Sequence, residues 1–306
     1  MNVKALIINR GLNTSLRNLN NETKLNFAPN NLNYIGVGWY FWGIGVKLHF
    51  PLPVSWFYER ADIFKSQVID IRGTLYQKKW FLEGGLQLYQ NLYLSDGQTL
   101  DDGLNNASET GIRALRFTTS FTYLFSGEEV SVKAPFNRNN VQLKNAGTWM
   151  LTGGVSYIDL SGDDSVVPSR ARNDFSSDTT ITEISGVSFF VRPGYAYNFV
   201  YRNFFIHASA SVGLALQQKS LERRDSEMDE LGISPLYNFS AAIGYDNGKY
   251  FAGISSVFTY GYMQVDNIRL QERARNTELF VGYRFPEPNW IKNNKPRFLN
   301  WFTNSK

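Results

Sequence analysis

The sequence predicts an all-β fold: a closed antiparallel barrel of about 12 strands that crosses a membrane. Three observations carry that expectation. Apolar residues alternate with polar or small ones along most of the chain, and a 3.6-residue period is almost absent. The connections between alternating segments are short and long by turns. Aromatic residues, 15% of the chain, gather where the segments meet the short connections.

The segments follow in order. Weaker alternation covers 2–9 and 33–40. In 42–50, Trp42, Ile44, Val46, Leu48 and Phe50 share one face, while Gly43, Gly45, Lys47 and His49 share the other. In 66–76, Ile69, Ile71 and Leu75 oppose Asp70, Arg72 and Thr74. In 79–92, Trp80, Leu82, Leu86 and Leu88 oppose Glu83, Gln87 and Tyr89. In 112–125, Leu115, Phe117, Phe121, Tyr123 and Phe125 oppose Arg116, Thr118, Ser120 and Thr122. After a weaker segment at 147–159, residues 187–200 set Val187, Phe189, Val191, Tyr195, Tyr197 and Phe199 against Ser188, Arg192, Gly194 and Asn198. In 203–217, Ile206, Ala208, Val212, Leu214 and Leu216 oppose His207, Ser209, Ser211 and Gln217. Segments at 235–246, 250–263 and 274–285 complete an even number, which closes a barrel with both ends on one side. Ser256 interrupts an otherwise apolar face.

Short connections fall at 41–42, 77–79, 201–203 and 246–249. Asn247-Gly248 is expected to form a type I′ turn with both residues at positive φ. Long connections cover 10–32, 51–65, 94–110, 161–185, 219–233 and 264–272. Three of them are acidic: Asp96, Asp101, Asp102 and Glu109; Asp163, Asp164, Asp174, Asp178 and Glu183; Glu222, Asp225, Glu227, Asp229 and Glu230. Their first reading is solvated polar loops, and their second is divalent cations shared with lipopolysaccharide. No spacing matches a defined calcium loop.

Aromatics at the short turns (Tyr40, Phe41 and Trp42; Tyr76, Trp80 and Phe81; Tyr123 and Phe125; Phe199, Tyr201 and Phe204; Tyr245 and Tyr250; Tyr283 and Phe285) read as an interfacial girdle. The competing reading is a soluble sandwich or barrel with an aromatic core. Residues 126–146 stand where a short turn belongs and are expected to form an irregular excursion under or into the barrel. The barrel is therefore assigned to 1–286 and a short periplasmic tail to 287–306. Met1 leads straight into the first strand, so no signal peptide is present. The chain reads as a mature or trimmed form of a protein exported to a bacterial outer membrane.

Composition narrows the chemistry. The 306 residues hold no Cys and two His, which removes disulfides, thiol catalysis and Cys-containing metal sites. Neither a metal nor a cofactor is expected. No apolar run reaches the length of a membrane helix. The formal charge of +4 is scattered, without a basic stripe, so nucleic acid is not an expected partner.

Two constellations remain. His207-Ala208-Ser209 places a general base and a hydroxyl on one strand face, with Glu222 the nearest acid by spacing. This resembles outer-membrane phospholipases and lipid A deacylases. The pair lies on the polar, lumen-facing side near the short-turn rim, whereas such enzymes present theirs to lipid near the outer leaflet. The second constellation is a set of lumen-lining charges: Lys47, His49, Asp70, Arg72, Glu83, Arg116, Arg192, Glu278 and Arg284. Their structural reading is an ion-pair network that stiffens the wall. Their functional reading is a weakly anion-preferring path. Five cations against three carboxylates is too small a surplus to separate the two readings.

Phe27-Ala28-Pro29-Asn30-Asn31 leading into 32–50, Ala134-Pro135-Phe136-Asn137, Lys144-Asn145-Ala146-Gly147, and Arg192-Pro193-Gly194-Tyr195-Ala196-Tyr197 before Phe204-Phe205-Ile206 form a collinear set. Over roughly residues 3–286 it resembles an uncharacterised family of Bacteroidota outer-membrane β-barrel proteins, a domain of unknown function. Lys133-Ala134-Pro135 departs from that family, which tends to lack the proline. The resemblance implies an outer-membrane barrel and transfers no functional residue. The expected function is a narrow small-solute channel or a structural and docking scaffold. The alternative is an outer-membrane lipid hydrolase using His207 and Ser209. Expected partners are outer-membrane lipid, lipopolysaccharide and other envelope proteins.

Overall fold

Alternation of this kind buries one face of every strand only if the sheet curls on itself, and the chain does so. A computed structural model describes residues 1–29, 33–41, 44–52, 66–94, 111–127, 144–167, 179–286 and 288–289. Its strands are β1 (Asn2–Asn18), β2 (Lys24–Ala28), β3 (Asn33–Phe41), β4 (Ile44–Pro51), β5 (Gln67–Tyr76), β6 (Trp80–Gln90), β7 (Tyr93–Leu94), β8 (Arg113–Leu124), β9 (Ala146–Ser161), β10 (Ile181–Tyr201), β11 (Phe204–Arg223), β12 (Ser226–Asp246), β13 (Tyr250–Val265) and β14 (Ile268–Arg284). Twelve of them form a closed antiparallel barrel. β14 closes it against β1 along its whole length, from Asn2 opposite Arg284 to Asn18 opposite Ile268. Closure pairs backbone groups that hydrocarbon could not satisfy. β2 continues the wall above β3 against β1, and the two-residue β7 adds to β2.

Two junctions depart from this plan, the lesser being β12–β13, whose pairing stops at Leu236–Gly261. β4 and β5 are paired only through Ile44–Leu75 and Gly45–Thr74, next to the short-turn rim. Above that point each strand keeps its other neighbour, β4 with β3 and β5 with β6, but not its partner across the junction.

The outward face carries large apolar side chains in a continuous band, including Ile35, Leu48, Ile71, Phe117, Phe189, Leu214, Ile243 and Leu279. Soluble monomers do not expose such an area. Ser256 also faces outward, and its hydroxyl is bonded to that of Thr277 on β14 at 2.8 Å, which makes it tolerable there. Outward aromatics pair at the short-turn rim, as in Trp149–Tyr195, Phe204–Tyr245 and Tyr250–Tyr283. Three residues expected in that girdle are not part of it. Tyr40, Tyr76 and Phe81 point inward and pack with Leu124, Met150 and Ala196. Trp42 and Gly43 lie outside the described residues.

Several boundaries also change. Residues 219–233 are not a loop: β11 and β12 run through them and turn at Arg224-Asp225. Likewise β1 extends through Asn18, and β13 and β14 turn at Asp266-Asn267. β10, β11 and β12, at 21, 20 and 21 residues, therefore stand well beyond the membrane, since about 10 residues suffice to cross it. At Asp246–Tyr250 only Gly248 has positive φ, at 89°, so the expected type I′ turn is replaced by a three-residue loop. The Asn247 side chain accepts the amides of Lys249 and Tyr250 and holds that loop without a second left-handed residue. Residues 128–143 of the expected excursion, the loops 53–65, 95–110 and 168–178, and most of the tail lie outside the described residues.

Candidate functional site

The candidate site is the barrel lumen, and its floor, wall and cap come from the inward positions of consecutive strands. At the outer end those positions turn apolar. Leu12 and Leu16 of β1, Phe27 of β2, Ile184 of β10, Leu221 of β11 and Leu270 of β14 pack into one cluster with neighbours from β6, β8, β9 and β13. Its members are almost fully buried. They converge from β1, β2, β6, β8, β9, β10, β11, β13 and β14, with none from β3, β4 or β12, and form an apolar cap over most of the outer end.

Below the cap most inward positions are polar, and they line a partly open cavity of about 1100 Å³. Of the nine charged residues expected in the lumen, Lys47, His49, Asp70, Arg72, Glu83, Arg116, Arg192 and Glu278 line it. Arg284 does not. It sits at the short-turn rim, where it grips Asp246 with two bonds of 2.9 Å and donates to the Gly248 carbonyl.

Two hubs organise the charges. Lys47 donates to both carboxylate oxygens of Glu278, at 2.6 and 2.8 Å, and Lys4 approaches the same group at 3.8 Å. Asp70 accepts from Arg72 at 2.8 and 3.1 Å and pairs with Arg10 at 3.3 Å. Arg10 joins the hubs: its Nε donates to Asn276 at 2.7 Å, and its Nη2 lies 4.0 Å from Glu278. Its Nη1 meets His49 Nε2 at 3.0 Å. Arginine only donates, so His49 Nε2 accepts and the imidazole proton belongs on Nδ1. On the other side of the lumen Arg116 lies 3.6 Å from Glu272, and Arg192 lies over the Phe190 ring and across Gly213, whose missing Cβ leaves it room. The buried Nδ1 of His49 and Nε of Arg116 and Arg192 have no hydrogen-bond partner.

Lys4, Arg10 and Glu272 were missed in the sequence. The alternation in the first segment ends at Asn9 and leaves Arg10 in a loop, although Lys4 and Arg10 share one parity along β1. Glu272 was lost in the same way with the outer half of β14. Counting them, and setting aside Lys219, which bonds Glu230 nearer the outer end, six cations face four carboxylates among the described residues, and the surplus of two is unchanged.

His207 is fully buried on the inward face. Its Nδ1 lies 2.6 Å from Asn198 Oδ1 on β10, and its Nε2 lies 3.3 Å from the hydroxyl of Ser240 on β12. The expected partner Ser209 instead bonds Ser240 at 2.6 Å. Strand pairing explains the difference, because Ser209 sits directly opposite Ser240 and its hydroxyl is drawn across the ladder. Glu222 is near the outer end of β11, opposite Glu183 and Glu227, and is no partner of His207. Ser209 and Ser240 both line the cavity. Asn198 can hold the imidazole with its proton on Nδ1, which leaves Nε2 to accept from a hydroxyl. Among the described residues no group of three or more acidic or His side chains is arranged to hold a metal ion.

Comparison with known proteins adds a family and a set of folds. The family described as Domain of unknown function (DUF4421) matches residues 2–285. No curated protein matches the sequence. The outer membrane protease OmpT of Escherichia coli aligns at 10% identity and TM-score 0.39, over 93% of this chain and 97% of its own. The translocator domain of the autotransporter NalP from Neisseria meningitidis aligns at 10% identity and TM-score 0.40, over 92% and 88%. The Pseudomonas putida toluene transporter TodX aligns at 9% identity and TM-score 0.28, over 93% and 89%. At these scores the likenesses add nothing to what the barrel itself shows.

Proposed function

The chain belongs to the DUF4421 family, whose description carries no activity, and from that premise we propose that it is a bacterial outer-membrane barrel whose lumen is a capped binding chamber for a small solute. One observation carries this reading: an apolar cap lies over a cavity of about 1100 Å³ into which charged and hydroxyl side chains project from most of the wall. An open porin has a wet path from end to end, whereas a cap of packed Leu, Ile, Val and Phe side chains excludes water and ions. The charges pair along the wall and leave the cavity between them, so they stiffen the chamber without filling it.

Conductance in planar bilayers tests it. The expected parent record is closed, and Leu16→Ser with Leu270→Ser is expected to introduce conducting events by wetting the cap. A steady porin-like conductance in the parent would refute the chamber.

A second reading is favoured by the Asn198–His207–Ser240 relay at the cavity wall: hydrolysis of an acyl ester with Ser240 as nucleophile and His207 as general base. Turnover of a p-nitrophenyl ester in detergent micelles tests it. Ser240→Ala is expected to abolish turnover while Ser209→Ala retains it, and a parent without turnover would end this reading.

A further inference from the structure

The β4–β5 ladder stops after two pairs, whereas β12 and β13, the other pair that parts before its outer end, stay joined from Asp246–Phe251 to Leu236–Gly261. Residues 46–51 of β4 and 67–73 of β5 each present one backbone edge to the junction, and among the described residues nothing pairs with it. Both strands carry outward side chains of the apolar band, with Leu48 and Phe50 on one side and Ile69 and Ile71 on the other. The junction therefore lies at membrane depth. Unpaired strand edges are not tolerated against hydrocarbon, but they are tolerated where they line a wet cavity. The cavity does reach them. Elsewhere its lining faces inward apart from Pro235 and Tyr262, where the β12–β13 pairing ends, whereas here it includes the outward-facing Val46, Leu48, Ile71, Leu75 and Leu82. It passes through the wall.

Outside the opening a groove continues it. Gly73 and Gly84 stand opposite each other on the outward face of β5 and β6, with no atom near where a Cβ would be on either. Ile71, Leu75, Leu82 and Leu86 flank this notch, so its floor and sides are apolar, as a hydrocarbon chain requires. Inside the opening the first groups met are cationic: Lys47 on one edge and Arg72 on the other. Deeper in the lumen are Arg116 and Arg192, whose buried Nε groups lack hydrogen-bond partners.

Charge also accounts for the junction standing open. Continuing the register of Ile44–Leu75 and Gly45–Thr74 upward would set Lys47 directly opposite Arg72. Like charges directly opposite destabilise a ladder. The glutamate and aspartate that neutralise these two cations, Glu278 and Asp70, draw Lys47 across the lumen toward β14 and hold Arg72 along its own strand.

We propose that the β4–β5 junction is a lateral port through which a single-chain anionic amphiphile enters the lumen from the membrane, its chain in the Gly73–Gly84 groove and its headgroup toward Lys47 and Arg72. This names the access route and ligand class of the chamber proposed above and rests on that reading. The β11–β12 wall bearing His207 and Ser240 lies across the barrel from the port, with five barrel strands between on either side.

The test uses the full chain in lipid nanodiscs and radiolabelled palmitate as the probe. Because the sequence has no Cys, Leu48→Cys with Ile71→Cys creates the only possible disulfide, at residues that face each other when the junction is zipped. Palmitate binding by the reduced variant is the reference level against which its oxidised form is read. Oxidation is expected to lower binding about tenfold, with recovery on reduction. Gly84→Trp fills the groove without needing a bond to form and is expected to lower binding by a similar factor, with heat-modifiable gel migration unchanged. Absence of palmitate binding in the parent overturns the proposal, as does binding indifferent to the formed disulfide or to Gly84→Trp. Planar-bilayer conductance separates the two failures: a parent that conducts refutes the chamber, whereas a closed parent with redox-indifferent binding refutes only the port.

Discussion

Replacing Glu278 with Gln is expected to be the most damaging single change in the lumen. The carboxylate is 4% exposed and is approached by Lys47 at 2.6 Å, Lys4 at 3.8 Å and Arg10 at 4.0 Å. Glutamine keeps the shape and a carbonyl for Asn276 but removes the charge that all three cations share. Their fates differ. The Lys47 side chain is 28% exposed and can swing into the wet cavity, whereas Lys4 and Arg10 are 4% and 3% exposed and cannot. Stranding buried partners of a broken ion pair costs about 3–5 kcal/mol. The cavity raises the local dielectric, and Arg10 keeps Asp70, so the lower end of that range, about 3 kcal/mol, is expected for Glu278→Gln. Lys47→Met should cost about 1 kcal/mol, because Lys4 and Arg10 still neutralise the carboxylate. Urea unfolding from lipid vesicles, followed by tryptophan fluorescence, measures both. A loss below about 1 kcal/mol for Glu278→Gln, or equal losses for the two variants, would refute the hub.

Two further outcomes follow from other parts of the barrel. At the outer ends of β10 and β11, Glu222 is held above its ordinary carboxylate range by the charge of Glu183 opposite, then by burial and by Glu227 and Asp229; Glu183 is raised by burial and by Asp159. Raised carboxylates stabilise below their ordinary value, and that contribution is lost as pH rises through the folded one. Glu222→Gln should therefore increase hydrogen-exchange protection near Arg224 and Asp225 at pH about 7 and have no effect at pH about 3. Equal protection in parent and variant at the higher pH would contradict this. On the lipid face, Ser256→Val or Thr277→Val alone should destabilise the barrel by about 1 kcal/mol, since one hydroxyl is left unpaired, while the double variant should come close to the parent. Additive losses in the same urea assay would show that the pair is not coupled.

How much of the lumenal site the sequence disclosed depends on parity. Lys47, His49, Asp70 and Arg72 were legible because each sits on a strand whose opposite face is plainly apolar. Lys4 and Arg10 were not, because Leu6, Ile8 and Leu12 share their inward face and the polar side of β1 has no clean alternation. The partner of His207 was illegible for another reason. Spacing along one strand identifies Ser209, but the hydroxyl that reaches the imidazole belongs to Ser240, 33 residues away. Only the β11–β12 register brings that group into place. The short β4–β5 junction left no mark in hydropathy, since Val46, Leu48 and Phe50 alternate as cleanly as any paired strand.

The strands that outran their expected ends share one cause, and it locates the membrane surface. Along β11 the outward positions Ile206, Val212, Leu214 and Leu216 are apolar and then become Gln218, Ser220 and Glu222. The inward positions His207, Ser209, Ser211, Gln217 and Lys219 are polar and then become Leu221. β14 inverts in the same sense. Inward Glu278, Asn276 and Glu272 give way to Leu270 and Ile268, while outward Val281 and Leu279 give way to Arg275 and Arg273. A strand crossing lipid must be apolar outside, and the same strand continuing into water must be apolar inside. Period two therefore persists while its phase reverses. With the apolar face fixed at the start of a segment, the reversal reads as loss of pattern and an end of the strand, at Gln217 on β11 and before Ala274 on β14. On β10 the reversal is aided by a register shift between Ile181 and Glu183, which turns Ile181 inward to join the cap. The apolar cap and the polar chamber are thus consecutive consequences of one wall passing from hydrocarbon into water, which puts the cap outside the membrane and the chamber within it.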